Sequence, residues 1–432
     1  MNLMKELADR NASRREPFLV GPNFQLKIED LLKDKGVDLE CVRPGDVVAL
    51  IGDFDALSLA TLLRLIDLCV TVVPLTEATR PDHEYYFEAS AVDVVIEGGV
   101  ARHRDGVREP SPPLARLREA GNPGLVLFSS GTTGRPKAIL HDFSYFLARY
   151  RTPRPTLRTL NFLLFDHIGG INTFFHTIFN GGQVVAPSGR TPQAVAFDIG
   201  HYQVELLPTT PTFLRMLLLE GILDTTELAS LKVITYGTER MDQGTLDRLC
   251  RALPNADFRQ TYGMSELGIL RVKSRARDSL WMTVGGEGVK TRVVDGILHV
   301  LSVNRMLGYL NAPLPFDAEG WYDTGDIVEQ DGPYLKIIGR SKQVINVGGV
   351  KILPAELERV ALLHPGVLFA KARGVPNPIT GQHIEILCQP RVGVLLNRQE
   401  LRAHFCEHLS EHVRPQSIRI GEVAVNHRYK QE

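Results

Sequence analysis

Apolar runs alternate with helical stretches along the first 260 or so positions of the chain. Residues 47–51 (VVALI) follow the turn Pro44-Gly45-Asp46 and predict a strand, and leucines at helical spacing predict a helix over 56–69. Further apolar runs at 70–74, 92–96 and 125–128 predict strands, as do 160–165, 182–186, 204–207 and 232–236. Helices are expected at 211–220 and 244–252 between them. Strands alternating with helices predict an α/β layer with a parallel sheet. The period then changes. Short strands at 290–294, 297–302 and 334–338, with Asp295-Gly296 and Asp331-Gly332 as turns, predict a small antiparallel sheet or barrel. Helices at 354–363 and near 400–412 predict a small α+β unit at the C-terminus. The boundary is set at Gly339-Arg340-Ser341-Lys342, giving domains of 1–339 and 340–432. The proline-rich stretch 110–113 reads as a surface connection.

Composition changes this picture only at its edges. A chain of 432 residues is too long for one compact core, and 44% hydrophobic with 23% charged residues is ordinary for a soluble globular protein. A net charge of -1 gives no electrostatic case for a nucleic-acid partner or an anionic membrane. Five scattered cysteines, Cys41, Cys69, Cys250, Cys388 and Cys406, argue against a disulfide framework and fit a reducing compartment. The N-terminal stretch MNLMKELADRNASRREPF is charged throughout and lacks an apolar leader core. The apolar stretch 57–75 is broken by Arg64 and Asp67, so it reads as a buried helix and strand, not a membrane span. A cytoplasmic protein is expected. His404, His408 and His412 recur every four residues beside Cys406. They could face a transition metal, but a solvated helix face is the favoured reading.

The chemistry begins where the apolar run 125–128 enters Ser129-Ser130-Gly131-Thr132-Thr133-Gly134-Arg135-Pro136-Lys137. Glycines let backbone N–H groups approach anionic oxygens, hydroxyls donate further bonds, and the lysine adds positive charge. Such a loop suits polyphosphate. The GxxxxGK[ST] spacing of the Walker loop is absent. The segment instead resembles the phosphate loop of the adenylate-forming superfamily: acyl-CoA synthetases, luciferases and peptide-synthetase adenylation domains.

Further motifs follow in the order this superfamily uses. Thr261-Tyr262-Gly263-Met264-Ser265-Glu266 resembles its YG-x-[ST]-E motif. The resemblance implies that Glu266 is a Mg²⁺ ligand, that Ser265 donates to a phosphate and that Tyr262 lies against adenine. Tyr236-Gly237-Thr238-Glu239 resembles the segment that borders adenine. Trp321-Tyr322-Asp323-Thr324-Gly325-Asp326 resembles [WY]-x-TGD, whose aspartate, here Asp326, accepts from the ribose hydroxyls. Arg340 would contact ribose or phosphate, and Lys342 occupies the hinge position. Asn426-His427-Arg428-Tyr429-Lys430 resembles Asn/Thr-x-x-Gly-Lys, which makes Lys430 the lysine of adenylation. Tyr429 departs from the family's glycine. Phe165-Asp166-His167-Ile168-Gly169-Gly170 resembles the segment beside the acyl pocket, with His167 over the carboxylate and Ile168, Gly169, Gly263 and Met264 nearby. A one-residue shift would instead make Asp166 the partner of a substrate ammonium. Phe174 and Phe213 are expected either to line that pocket or to fill the core.

The resemblance implies an α/β fold with a large N-terminal domain and a small mobile α+β domain. It also implies ATP, Mg²⁺ and coenzyme A, or the phosphopantetheine of a carrier protein, as reaction partners of a carboxylic acid. The expected reaction forms an acyl-adenylate with release of pyrophosphate, then a thioester. Its rivals are a non-catalytic nucleotide-binding regulator and a phosphotransferase, the latter without a kinase motif set.

Overall fold

The computed structural model describes residues 2–12, 14–33, 36–106, 109–129, 134–224 and 226–430. Two seven-stranded sheets form the N-terminal part. The first runs Val100–His103, Val94–Glu97, Val47–Ile51, Thr71–Leu75, Gly124–Phe128, Ala138–Asp142 and Gly308–Tyr309. Its four central strands are mutually parallel, and the others close its edges antiparallel. Strands covered on both faces read as continuous apolar runs, and Val47–Leu50 and Gly124–Phe128 are buried throughout. The second sheet runs Phe24–Leu26, Leu19–Gly21, Val184–Val185, Thr159–Leu160, Leu206–Thr209, Val233–Tyr236 and Asp257–Gln260. It is parallel except for its first pair. The helices Ala56–Asp67 and Ile168–Phe179 pack into one buried cluster around Leu59, Leu62, Phe165, Phe174 and Phe175.

A six-stranded antiparallel sheet follows: Arg271–Ser274, Met282–Gly285, Tyr334–Arg340, Tyr322–Asp331, Ile297–Ser302 and Val289–Val294. Asp295 (φ 51°) and Gly296 (φ 77°) turn the last hairpin with the two positive φ angles that a tight hairpin wants. Beyond Arg340 a single 3₁₀ turn, Ser341–Gln343, leads to a five-stranded sheet with helices Pro354–Leu363 and Arg398–His408. This region has its own cluster, including Ile345, Leu357, Ile384, Phe405 and Ile418.

Several expected elements differ from the structure. The run 160–165 is not one strand: pairing ends at Leu160, and the chain turns back as Phe162 N–H bonds Leu160 O (2.9 Å) and His167 N–H bonds Leu164 O (3.1 Å). Its apolarity reflects burial on two sides, with Phe162 in one cluster and Phe165 in the other. The stretch 110–113 is only in part a connection, because Pro112 starts the helix Pro112–Glu119, where its missing N–H costs nothing. The last helix ends at His408, so His412 lies in a separate turn and the three histidines do not share one helix. None of the five cysteines forms a disulfide. Among the described residues no helix is long and apolar enough to cross a membrane.

Candidate functional site

The strand ends and the C-terminal region enclose one cleft of about 1930 Å³. Ser129, Gly134 and Lys137 line it at the mouth of the strand Gly124–Phe128. Ser130, Gly131, Thr132 and Thr133 lie outside the described residues. The base of the loop is tied across: Ser129 N–H bonds Lys137 O (3.1 Å), and Lys137 N–H bonds Ser129 Oγ (3.0 Å). Lys137 Nζ lies 4.7 Å from the ring centre of Tyr309, which holds the cation over an aromatic face.

Tyr309 also donates to Glu266 Oε1 (2.9 Å), so a single side chain spans the loop lysine and the candidate metal ligand. The segment that carries Glu266 is fixed from below. Buried His141, on the strand after the loop, donates from Nε2 to Ser265 O (2.7 Å). Burial holds this imidazole down to about 4, so it stays neutral. Asp326, 3% exposed, lies in a strand and not in a surface turn. Its carboxylate accepts from Tyr262 Oη (2.7 Å) and from Arg340 Nε (3.0 Å). Tyr262, Gly263, Met264, Ser265, Arg340 and Lys342 all line the cleft, as do Thr238 and Glu239. Gly237 does not line it but shapes it: a Cβ there would sit 2.1 Å from Thr261 Oγ1 and 2.8 Å from Thr261 O. The Glu239 carboxylate accepts from Thr212 Oγ1 (2.7 Å) and Thr212 N–H (3.2 Å).

His167, Ile168 and Gly169 line the cleft at the start of the helix Ile168–Phe179. His167 caps that helix: its Nδ1 accepts the Gly169 N–H (3.0 Å). Burial, then the positive charge of Lys430, holds this imidazole well below its usual range. A side chain at Gly170 would meet Leu164 O at 2.1 Å, so the close helix start demands glycine. Phe174 and Phe213 are fully buried core residues.

The C-terminal segment reaches back into this same corner. Asn426 organises it, with Oδ1 accepting from Arg428 N–H (3.0 Å) and Lys430 N–H (3.1 Å). Arg428 pairs with Asp166 (3.1 Å), and both side chains are buried. That bond engages Oδ2 of the aspartate which the shifted register would offer to a substrate ammonium and leaves Oδ1 buried without a hydrogen bond among the described residues. Tyr429 stands at φ 55°, the left-handed conformation that favours glycine. Its ring is held 5.2 Å from Phe162 and 5.5 Å from Phe213, and its carbonyl accepts from Thr210 Oγ1 (2.8 Å). Lys430 lines the cleft, and burial, then repulsion from Arg428, pushes its ammonium down to about 8. The motif order brought these candidates together. Tyr309 and His141 were missed, because each acts on a motif residue from outside its motif; the Arg428–Asp166 pair joins two of the quoted motifs, but their pairing is not written in either one.

Residues 41–299, more than half of the chain, match the AMP-binding enzyme family. The chain belongs to this family. Among curated relatives, it is 30% identical over 341 residues to a sulfoacetate–CoA ligase of Cupriavidus necator, covering 69% of this chain and 63% of that enzyme. It is 28% identical over 318 residues to a methyl-dioxo-octahydroindenyl-propanoyl:CoA ligase of Rhodococcus jostii, covering 68% and 61%. The chain thus spans about three-fifths of the length of these two relatives (61% and 63%). A fatty acid–acyl-carrier-protein ligase of Streptomyces coeruleorubidus is 28% identical over 295 residues, covering 61% and 56%. The fold is similar to that of an anthranilate CoA ligase in complex with anthranoyl-AMP, with a TM-score of 0.79, 18% identity, and 98% and 94% of the two chains covered.

Proposed function

We propose that the protein is an AMP-forming acid–thiol ligase. It joins a carboxylate to the α-phosphorus of ATP, releasing pyrophosphate, and then passes the acyl group to a thiol, with coenzyme A as acceptor. The observation that carries this reading is the convergence of Lys137, Glu266, Asp326 and Lys430, from four distant segments, on one cleft. Each residue type suits one part of the reaction. Lys137 and the loop amides hold the leaving phosphates, and Asp326 with Arg340 addresses the ribose. Lys430 places positive charge between the carboxylate and the α-phosphate as charge builds there. Gly237, Thr238, Glu239 and Tyr262 border the adenine, and Ser265 donates to a phosphate.

Glu266 suits a Mg²⁺ ion: it faces the cleft, and Tyr309 takes only Oε1, which leaves Oε2 for a cation that binds one or two carboxylates. Bound there, Mg²⁺ supplies charge neutralisation of the phosphates. Lys342, in the turn between the antiparallel sheet and the C-terminal sheet, is the pivot about which residues 340–432 rotate between the two half-reactions. A carrier-protein phosphopantetheine is the alternative acceptor, and the similarity to the Streptomyces ligase supports it.

The test is acid-dependent ATP–pyrophosphate exchange across aliphatic, aromatic and amino acids, with AMP as the nucleotide product. ATP binding without exchange for any acid would point to a regulatory nucleotide-binding protein, and ADP as product would point to a phosphotransferase.

A further inference from the structure

The cleft extends well beyond the reacting corner. Gly169, Asn172, Thr173, His176 and Thr177 line it at helical spacing, so one face of the helix Ile168–Phe179 forms its wall. From His167 to His176 this wall runs about 13 Å at 1.5 Å per residue. Its far end is basic. Arg149, Arg154 and Arg271 also line the cleft: Arg149 and Arg154 lie close enough to His176 to act on its charge, and Arg271 and Arg149 close enough to act on Arg154. Arg149 is anchored by a bond from Nη2 to Ile269 O (2.6 Å), and Tyr150 Oη donates to Asn172 Oδ1 (2.7 Å) behind it.

Among the described residues none of these three arginines forms an ion pair within 4.0 Å. Partial withdrawal from water, then repulsion by Arg271 and Arg149, lowers the Arg154 guanidinium from its usual range. Burial, then Arg154 and Arg149, lowers the His176 imidazole as well. Glu287 also lines the cleft, yet the charged neighbours that Arg154 feels are arginines. Like charges gathered without a counter-charge in ion-pair contact repel one another and favour a positive potential in this part of the cleft.

We propose that the distal arginines select the acid: Arg149, Arg154 and Arg271 receive a second anionic group, a carboxylate or sulfonate, carried by the substrate about 13 Å from the carboxyl group activated at Lys430. The inference rests on the acid-activating reading above and narrows it to bifunctional acids. The activated end loses its charge to the adenylate, while the distal end keeps its own and remains paired with guanidinium.

The experiment compares α,ω-dicarboxylic and ω-sulfocarboxylic acids of graded length with the monomethyl esters of the same diacids. Two readouts are used: pyrophosphate exchange, and calorimetric binding to the full chain with a non-hydrolysable ATP analogue. The expected result is a preference for the dianion of about tenfold in kcat/KM, on the order expected for pairing with several guanidinium groups at a partly solvated site. R154Q and R271Q are expected to shrink the dianion-to-ester ratio about tenfold. Equal or better exchange with the esters overturns the proposal and leaves acid activation standing. Dianion binding that is weakened by R154Q, without exchange for any acid, upholds the subsite and sinks the ligase reading. Variants that raise only the KM for the thiol assign the arginines to the acceptor and overturn the proposal. Neither exchange nor binding with any dianion overturns it too.

Discussion

The two ends of the cleft are built on opposite principles. At the reacting end, polar groups are tied to one another: Asp326 to Tyr262 and Arg340, Glu266 to Tyr309, Arg428 to Asp166. At the far end, three guanidinium groups stand together without an ion-pair partner among the described residues. Ties of the first kind cost little reorganisation when charge develops, which is what preorganised catalysis requires. On the proposed subsite, the second arrangement leaves an electrostatic demand that a ligand would satisfy. The two proposals together assign chemistry to the first end and selectivity to the second.

The sharpest break of this contrast is at the reacting end. Asp326→Ala and Glu266→Ala are each expected to lower pyrophosphate exchange by about a thousandfold or more; Asp326→Ala also leaves the buried Tyr262 hydroxyl without its partner and lowers stability by about 1–3 kcal/mol, so it is read beside Asp326→Asn. Lys430→Ala should cost roughly a hundred- to a thousandfold in adenylation while thioester formation from a preformed acyl-adenylate persists. Its ammonium, held at about 8, must be protonated to act. So kcat/KM for exchange should fall as pH rises through about 8, by about tenfold per pH unit. Lys430→Arg should flatten that limb; a limb that survives in the arginine variant removes Lys430 from the profile.

Stability gives the next test. His141 is neutral in the fold down to about pH 4 but takes a proton in the unfolded chain below its ordinary value of 6.5. The unfolded state thus binds more protons between those values. Stability should fall by about 3 kcal/mol as pH drops across the window, measurable as urea midpoints at pH 7 and pH 4.5. Smaller still is Tyr429→Gly. It gains about 1 kcal/mol from relief of the left-handed backbone but gives up an aromatic ring's burial, worth roughly 1.5–3 kcal/mol. A drop of no more than about tenfold in adenylation is expected. Arg154→Gln should change folding stability by less than about 0.5 kcal/mol, since no native partner is lost. A large loss there would erase the contrast between the two ends.

The sequence disclosed the fold and the site unequally, for a physical reason. The strand into Ser129 is legible because a doubly covered parallel strand must be apolar along its whole length. The motifs are legible because each carries its chemistry within a few consecutive residues. Tyr309 and His141 are invisible to that kind of reading: they serve Glu266 and Ser265 across the fold, and nothing in their own neighbourhood marks them. Asp326 sits in a long strand whose Asp-Thr-Gly-Asp stretch looks like a turn, because the partners that satisfy its buried carboxylate, Tyr262 and Arg340, lie outside that stretch. The run 160–165 misled because burial alone does not distinguish a strand from a buried bend.

The cap made by His167 has one more consequence. With its Nδ1 lone pair committed to the Gly169 amide, the neutral ring carries its hydrogen on Nε2 and has no basic atom to offer. Such a ring cannot strip a proton from an arriving acid. In the proposed reaction the substrate would therefore come already ionised, as ordinary carboxylic acids are at neutral pH, and meet a donor in place of a base.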